Sequence, residues 1–160
     1  MYKLFFMKSR SLLGLIAALC CGFLLFALYL QHFKDVFPCT LCVLQRYAYI
    51  VLALFCLIGV VANAPRVSAA FGFVAAVTGL GLAAYQLWVI AHPSISCGND
   101  PLEKAINQVF TAKLWPSVFK AEGFCSEVYE PIFGLSAPQW SLVWFVLFAL
   151  ALLWIMLRHR

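Results

Sequence analysis

The chain has 160 residues, of which 65% are hydrophobic and 11% charged, where a soluble domain carries about 25% charged residues. That composition excludes an ordinary water-soluble fold. The formal charge of +5 is explained by basic residues gathered at one membrane face and gives no indication of nucleic-acid binding. Long apolar runs leave too little sequence for a separate soluble core, so residues 1–160 read as one integral-membrane domain.

Crossing a hydrocarbon layer about 30 Å thick takes roughly 20 apolar residues in a helix. Four segments qualify, near residues 11–30, 40–62, 67–91 and 139–157. Lys3, Lys8 and Arg10 precede the first in the manner of a signal peptide. Its apolar run, however, exceeds the roughly 7 to 15 residues of a signal core, and no A-x-A site follows. A lipoprotein reading fails because Leu19 precedes Cys20, so the segment reads as a retained anchor. The short turn at Asn63, Ala64, Pro65 and Arg66 makes the second and third spans antiparallel neighbours. The expected fold is therefore an all-α, four-transmembrane-helix up-and-down bundle.

Basic residues set the expected orientation. Lys3, Lys8, Arg10, Arg66, Arg158 and Arg160 share one face, and Lys34, Lys104, Lys113 and Lys120 the other. This asymmetry puts both termini in the cytoplasm and the loops near 31–39 and 92–138 outside. In the long loop, Asp100, Pro101 and Glu103 form a helix-start pattern of N-cap, first residue and capping-box partner. Leu102, Ile106, Val109 and Phe110 follow at helical spacing, and Leu114, Trp115, Val118 and Phe119 extend an apolar surface. The pattern fits a short amphipathic helix lying on the membrane, or equally a cap over the bundle.

Position divides the seven cysteines. Cys20, Cys21 and Cys56 fall inside spans, where a thiol is ordinarily a small buried hydrophobe. Cys39, Cys42, Cys97 and Cys125 fall on or beside the outward loops, which suggests two disulfides. Cys39 and Cys42 form a C-x-x-C after Pro38 at the start of a span, where free amides and the positive end of the helix stabilise a thiolate. Arg46 lies one turn deeper on the same face. It reads either as a side chain reaching for the headgroups or as a cation beside a thiolate or the oxygen of a polar cofactor. Cys97 and Cys125 read as a structural clasp or as a pair that exchanges with a partner protein. All four cysteines also satisfy a zinc site by number, but the second pair is not C-x-x-C and an oxidising compartment favours disulfides. His92, at the mouth of the third span, is a cofactor ligand or an interfacial residue.

These residues closely resemble the DsbB family of bacterial disulfide bond formation proteins over nearly the whole chain. The resemblance is carried by Pro38-Cys39-Thr40-Leu41-Cys42 with Gln45-Arg46, by the loop with Cys97 and Cys125, by Phe133-Gly134-Leu135, and by Pro138-Gln139-Trp140 entering the last span. It implies an inner-membrane thiol oxidoreductase that reoxidises the thioredoxin-like DsbA and passes electrons to a quinone, ubiquinone or menaquinone. Residue by residue, it implies that Cys39 and Cys42 are the quinone-proximal pair, with Cys42 as the thiolate against the quinone ring. Arg46 and His92 would be quinone-site residues, Cys97 the cysteine that forms the mixed disulfide with DsbA, and Cys125 its companion. The stretch between the third span and Cys97 is short compared with some members.

The implied order of events is attack of a partner thiolate on Cys97, release of Cys125, and attack of Cys125 on Cys39 with Cys42 leaving. DsbA is strongly oxidising, at about −120 mV, so ordinary thiol couples make a poor sink for its electrons and a quinone a suitable one. Two rival readings are a quinone-linked thiol oxidase serving a dedicated partner, and a non-enzymatic membrane scaffold whose loop is stapled by disulfides.

Overall fold

A computed structural model describes residues 9–92, 101–123 and 134–158. Among these described residues seven helices run in chain order: α1 Ser9–Phe33, α2 Thr40–Val61, α3 Pro65–Ala91, α4 Pro101–Gln108, α5 Phe110–Leu114, α6 Pro116–Phe119 and α7 Ala137–Arg158. Four of them, α1, α2, α3 and α7, are long and apolar enough to cross a membrane. They form the expected bundle: α2 packs along α1 and α3, and α3 packs along α7, while α1 and α7 meet only narrowly.

Helix ends depart from the hydropathy reading where local hydrogen bonding continues past the apolar run. α1 extends through Gln31, His32 and Phe33, and the Lys34 amide still donates to Leu30 O at 3.1 Å. The loop between the first two spans therefore starts three residues later than expected. Between α2 and α3, Asn63 takes a left-handed conformation (φ 55°), which asparagine tolerates better than most residues. Pro65 then opens α3, where its missing N–H costs nothing. At α7 the Ser136 amide donates to Gln139 Oε1 at 2.7 Å, so the helix starts ahead of the apolar run.

The bundle is assembled on small residues. Ala69, Gly72, Ala76, Gly79 and Ala83 line the buried side of α3, and such a stripe lets neighbouring helices come close enough for dispersion contacts to hold them. Phe145 of α7 fills the space above Gly79, and its ring stacks on Tyr49 of α2 with centroids 4.3 Å apart. Large apolar side chains such as Leu25, Val61 and Leu150 are exposed on the outer surface, the arrangement expected where the solvent is lipid. Cys20 and Cys56 are fully buried in the core. Cys21 is not: it points out of the bundle, because residues 20 and 21 of one helix face directions about 100° apart.

The described part of the long loop does not form one amphipathic helix. Val109 adopts an extended conformation (ψ 142°) and Pro116 opens a new turn, so the segment breaks into α4, α5 and α6. The breaks split the apolar residues. Ile106 and Phe119 pack on α2 around Val43 and Tyr47, whereas Val109, Phe110, Leu114 and Trp115 remain exposed. Tyr47 stacks on Phe119 at 4.8 Å, and its hydroxyl hydrogen-bonds Thr111. The segment thus caps one end of the bundle and also presents an apolar face outward. The expected N-cap Asp100 lies outside the described residues.

A Cβ at Gly79 would stand 2.3 Å from ring carbons of Phe145, whereas nothing lies within 4 Å of one at Gly81. Gly79→Val is expected to destabilise the bundle by about 1–3 kcal/mol through overpacking. Gly81→Ala should leave stability level or raise it. Thermal unfolding in detergent checks both, and equal behaviour of the two variants would contradict this packing.

Candidate active site

The C-x-x-C occupies the first turn of α2. Cys39 is the N-cap, held by Pro38 in an extended conformation (φ −76°, ψ 169°), and its sulfur accepts a hydrogen bond from the Cys42 amide at 3.3 Å. The two sulfurs lie 2.7 Å apart. Cys39 is buried and Cys42 half-buried. An N-capping sulfur takes one of the amides that every helix start leaves unpaired, and the partial positive charge of those amides favours an anionic sulfur.

Both cysteines open onto a cavity of about 840 Å³ between α1, α2, α3 and α7. Most of its wall is apolar, supplied by side chains such as Phe26, Leu30, Ile90 and Trp144, with Gln45, Arg46 and Gln86 as polar groups near the cysteines. A largely apolar chamber with a few convergent polar groups is the usual form of a small-molecule site.

Arg46 is only 7% exposed. Its guanidinium donates through Nη1 to Gln31 Oε1 at 2.9 Å and to Val118 O at 2.6 Å. Both partners belong to the protein, so the charge is satisfied within the fold. One buried cation joins α1, α2 and the loop helices at the edge of the cavity.

Gln86, a residue without an assigned part in the sequence reading, completes the site. Gln45 Nε2 donates to Gln86 Oε1 at 2.7 Å. Gln86 Nε2 in turn lies 3.2 Å from Cys42 Sγ and 3.4 Å from Cys39 Sγ. The available signal was a glutamine in the middle of an otherwise apolar stretch, where a polar side chain is costly unless partnered. Gln31 was missed because it falls at the end of an apolar run, where polar residues are commonplace.

The segment after α6 is fastened beside Cys39. Asn107 grips the backbone of Ala121, donating to its carbonyl at 3.0 Å and accepting from its amide at 2.9 Å. The Glu122 and Gly123 amides both donate to Pro38 O at 3.1 Å, and Gly123 forms a parallel bridge with Cys39. A Cβ at Gly123 would stand 2.4 Å from Phe37 O, so this approach of two backbones requires glycine.

Of the six residues singled out by sequence, Cys39, Cys42 and Arg46 line the same cavity. His92 is not among its lining residues. It is the exposed C-cap of α3, with Nδ1 2.9 Å from Trp88 O and its ring 4.8 Å from that of Trp88. Cys97 and Cys125 lie outside the described residues, as does the zinc alternative that depends on them. No group of three or more potential metal ligands occurs among the described residues.

A family model for Disulfide bond formation protein DsbB matches residues 9–155. Full-length relatives agree. The Disulfide bond formation protein B of Herminiimonas arsenicoxydans is 44% identical over 96% of this chain and 98% of its own. That of Ralstonia nicotianae is 39% identical over 96% and 97%, and that of Burkholderia pseudomallei 40% over 96% and 92%.

Asn107→Ala removes both side-chain bonds to Ala121. Hydrogen exchange read by mass spectrometry should show the amides of residues 121–123 exchanging about tenfold faster, the equivalent of roughly 1.4 kcal/mol. Unchanged exchange would mean that Pro38 alone holds the segment.

Proposed function

The chain belongs to the DsbB family of disulfide bond formation proteins, and on that premise we propose that it is a protein-disulfide:quinone oxidoreductase of the bacterial inner membrane, which reoxidises periplasmic DsbA. Membership establishes disulfide formation by a multi-pass membrane protein. The proposal adds the donor, the acceptor, the orientation and the roles of the cysteines.

One observation carries it. The C-x-x-C stands between two different environments, the apolar cavity on one side and the fastened backbone of residues 121–123 on the other. Cys125 follows that segment by two residues in the sequence. A dithiol at this junction suits exchange with a loop cysteine and electron delivery into the membrane by the same two sulfurs.

In the proposed sequence a DsbA thiolate attacks Cys97, forming a mixed disulfide and releasing Cys125 as thiolate. Cys125 attacks Cys39, and the Cys39–Cys42 bond breaks with Cys42 leaving as thiolate. The second DsbA thiolate resolves the mixed disulfide and frees Cys97, which attacks Cys125, restores the loop disulfide and frees Cys39. Each exchange breaks one S–S bond and forms another, so two electrons pass from the DsbA dithiol to the Cys39–Cys42 pair.

The cavity fits a quinone in volume and polarity: an apolar wall suits an isoprenoid tail, and Arg46, Gln45 and Gln86 offer N–H groups near the sulfurs. A bound quinone would supply the acceptor for two electrons and two protons as Cys39 and Cys42 close to a disulfide. The protein's part is to hold Cys42 at the helix start, exclude water from it and keep a cation at hand.

The test is quinone reduction by the purified chain in detergent with reduced DsbA as donor. Cys42→Ser should fall to background and Cys21→Ala should retain full turnover. Arg46→Ala should raise the quinone KM about tenfold, the usual scale for one charged hydrogen bond. Cys125→Ser should accumulate a mixed disulfide with DsbA at Cys97. An Arg46→Ala defect that persists at saturating quinone would assign Arg46 to holding the loop instead. Absence of turnover with both ubiquinone and menaquinone, despite exchange at Cys97, would overturn the quinone reading.

A further inference from the structure

Two glutamine side chains are buried where α2 meets α3, Gln45 at 5% and Gln86 at 4% exposure. Removing a carboxamide from water into an apolar interior costs several kcal/mol if its hydrogen bonds are not replaced. A single mutual bond would be enough to tie two membrane helices together. Here that bond runs from Gln45 Nε2 to Gln86 Oε1, leaving the Gln86 NH₂ group over for another purpose. It is aimed between the sulfurs, 3.2 Å from Cys42 and 3.4 Å from Cys39.

We infer that Gln86 is a catalytic residue, the side-chain donor that holds the Cys42 sulfur in its thiolate form, and that Gln45 is a positioning residue that keeps the Gln86 amide turned toward it. A thiolate and a disulfide sulfur only accept hydrogen bonds. Of the two orientations of the Gln86 carboxamide, only the one with NH₂ toward the sulfurs serves those states. Gln45 selects it by donating to the opposite oxygen. A neutral donor suits this position, because it stabilises the anion without adding a second buried cation.

Among the described residues, the ionisable groups lining the cavity are Cys39, Cys42 and Tyr49, with Arg46 as the cation, all from α2 and its N-cap. Lys120 and Glu122, near the loop segment docked on Pro38, pair with each other at 2.6 Å. The Arg46 guanidinium is within electrostatic range of both cysteines, but its described hydrogen bonds go to Gln31 and Val118. Charge at a distance comes from Arg46, and the directed N–H from Gln86.

This inference rests on the proposed role of Cys42 as a thiolate, and the experiment separates the two. The full chain in detergent is reduced, and the rate at which Cys42 reacts with iodoacetamide is followed against pH, with the modified peptide identified by mass spectrometry. In Gln86→Leu the midpoint should rise by about one pH unit, the effect of losing one hydrogen bond to the charged form. Gln45→Leu, which leaves the immediate surroundings of the sulfurs in place, should shift it the same way by less. The double variant should shift no further than Gln86→Leu alone, since Gln45 acts through Gln86.

An unchanged midpoint in Gln86→Leu overturns the inference, as do additive shifts. If Gln86→Leu fails to fold, an unchanged midpoint in Gln45→Leu overturns the positioning role and the Gln86 role that depends on it. DsbA-to-quinone turnover of the wild-type chain is measured in parallel. Turnover without a shift in the variants removes Gln86 and leaves the proposed function standing. A shift without turnover removes the proposed function and keeps the hydrogen bond.

Discussion

Arg46 places a permanent positive charge inside an apolar bundle, and the cysteine end of the molecule is organised around satisfying it. A charge in such surroundings must find hydrogen-bond partners within the protein. Gln31 on α1 supplies one and the Val118 carbonyl beyond α5 supplies another. These contacts connect the end of α1, the first turns of α2 and the loop helices. The same side chain forms part of the cavity wall next to Cys42. A residue that binds three parts of the fold together is thereby placed beside the C-x-x-C.

The loop is held by backbone groups more than by an extensive apolar core. Pro38 has no N–H of its own to offer, but its carbonyl takes the amides of both Glu122 and Gly123. Asn107 supplies Ala121 with the two bonds that a neighbouring strand would have made. Such bonds can be exchanged for others at modest cost, roughly 1 kcal/mol each. Tyr47, Phe119 and Ile106 give the preceding helices a firmer seat on α2. The structure thus combines a packed platform with a lightly fastened segment next to Cys39.

Small residues along the first two thirds of α3, up to the floor of the cavity, serve the opposite purpose. The Ala and Gly stripe of α3 brings α2 and α7 close, and Phe145 locks into the gap at Gly79. Toward the cysteine end the cavity opens between the same helices and is lined by larger side chains such as Phe26 and Trp144. Tight packing thus gives way to an open chamber along the same helices.

The four spans and the burial of Cys20 and Cys56 were legible in the sequence, because a bilayer demands long apolar helices and a thiol packs among them as a small hydrophobe. The C-x-x-C at a helix start and Arg46 one turn deeper followed from helical spacing alone. The division of the loop at Val109 and Pro116 was obscured by an apolar pattern that continued across both breaks. Gln86 lies 44 residues from Cys42 in the chain, and no local pattern connects them. Only packing of α3 against α2 brings that amide to the sulfurs and turns it with Gln45. The grip of Asn107 on Ala121 and the approach of Gly123 to Pro38 are likewise contacts between segments, decided by three-dimensional geometry. Sequence determined which helices are long and apolar enough to span a membrane and that a C-x-x-C opens one of them, since those properties depend on composition and local spacing. The tertiary structure decided which side chain donates to which sulfur, because a hydrogen bond depends on distances that only the assembled bundle creates.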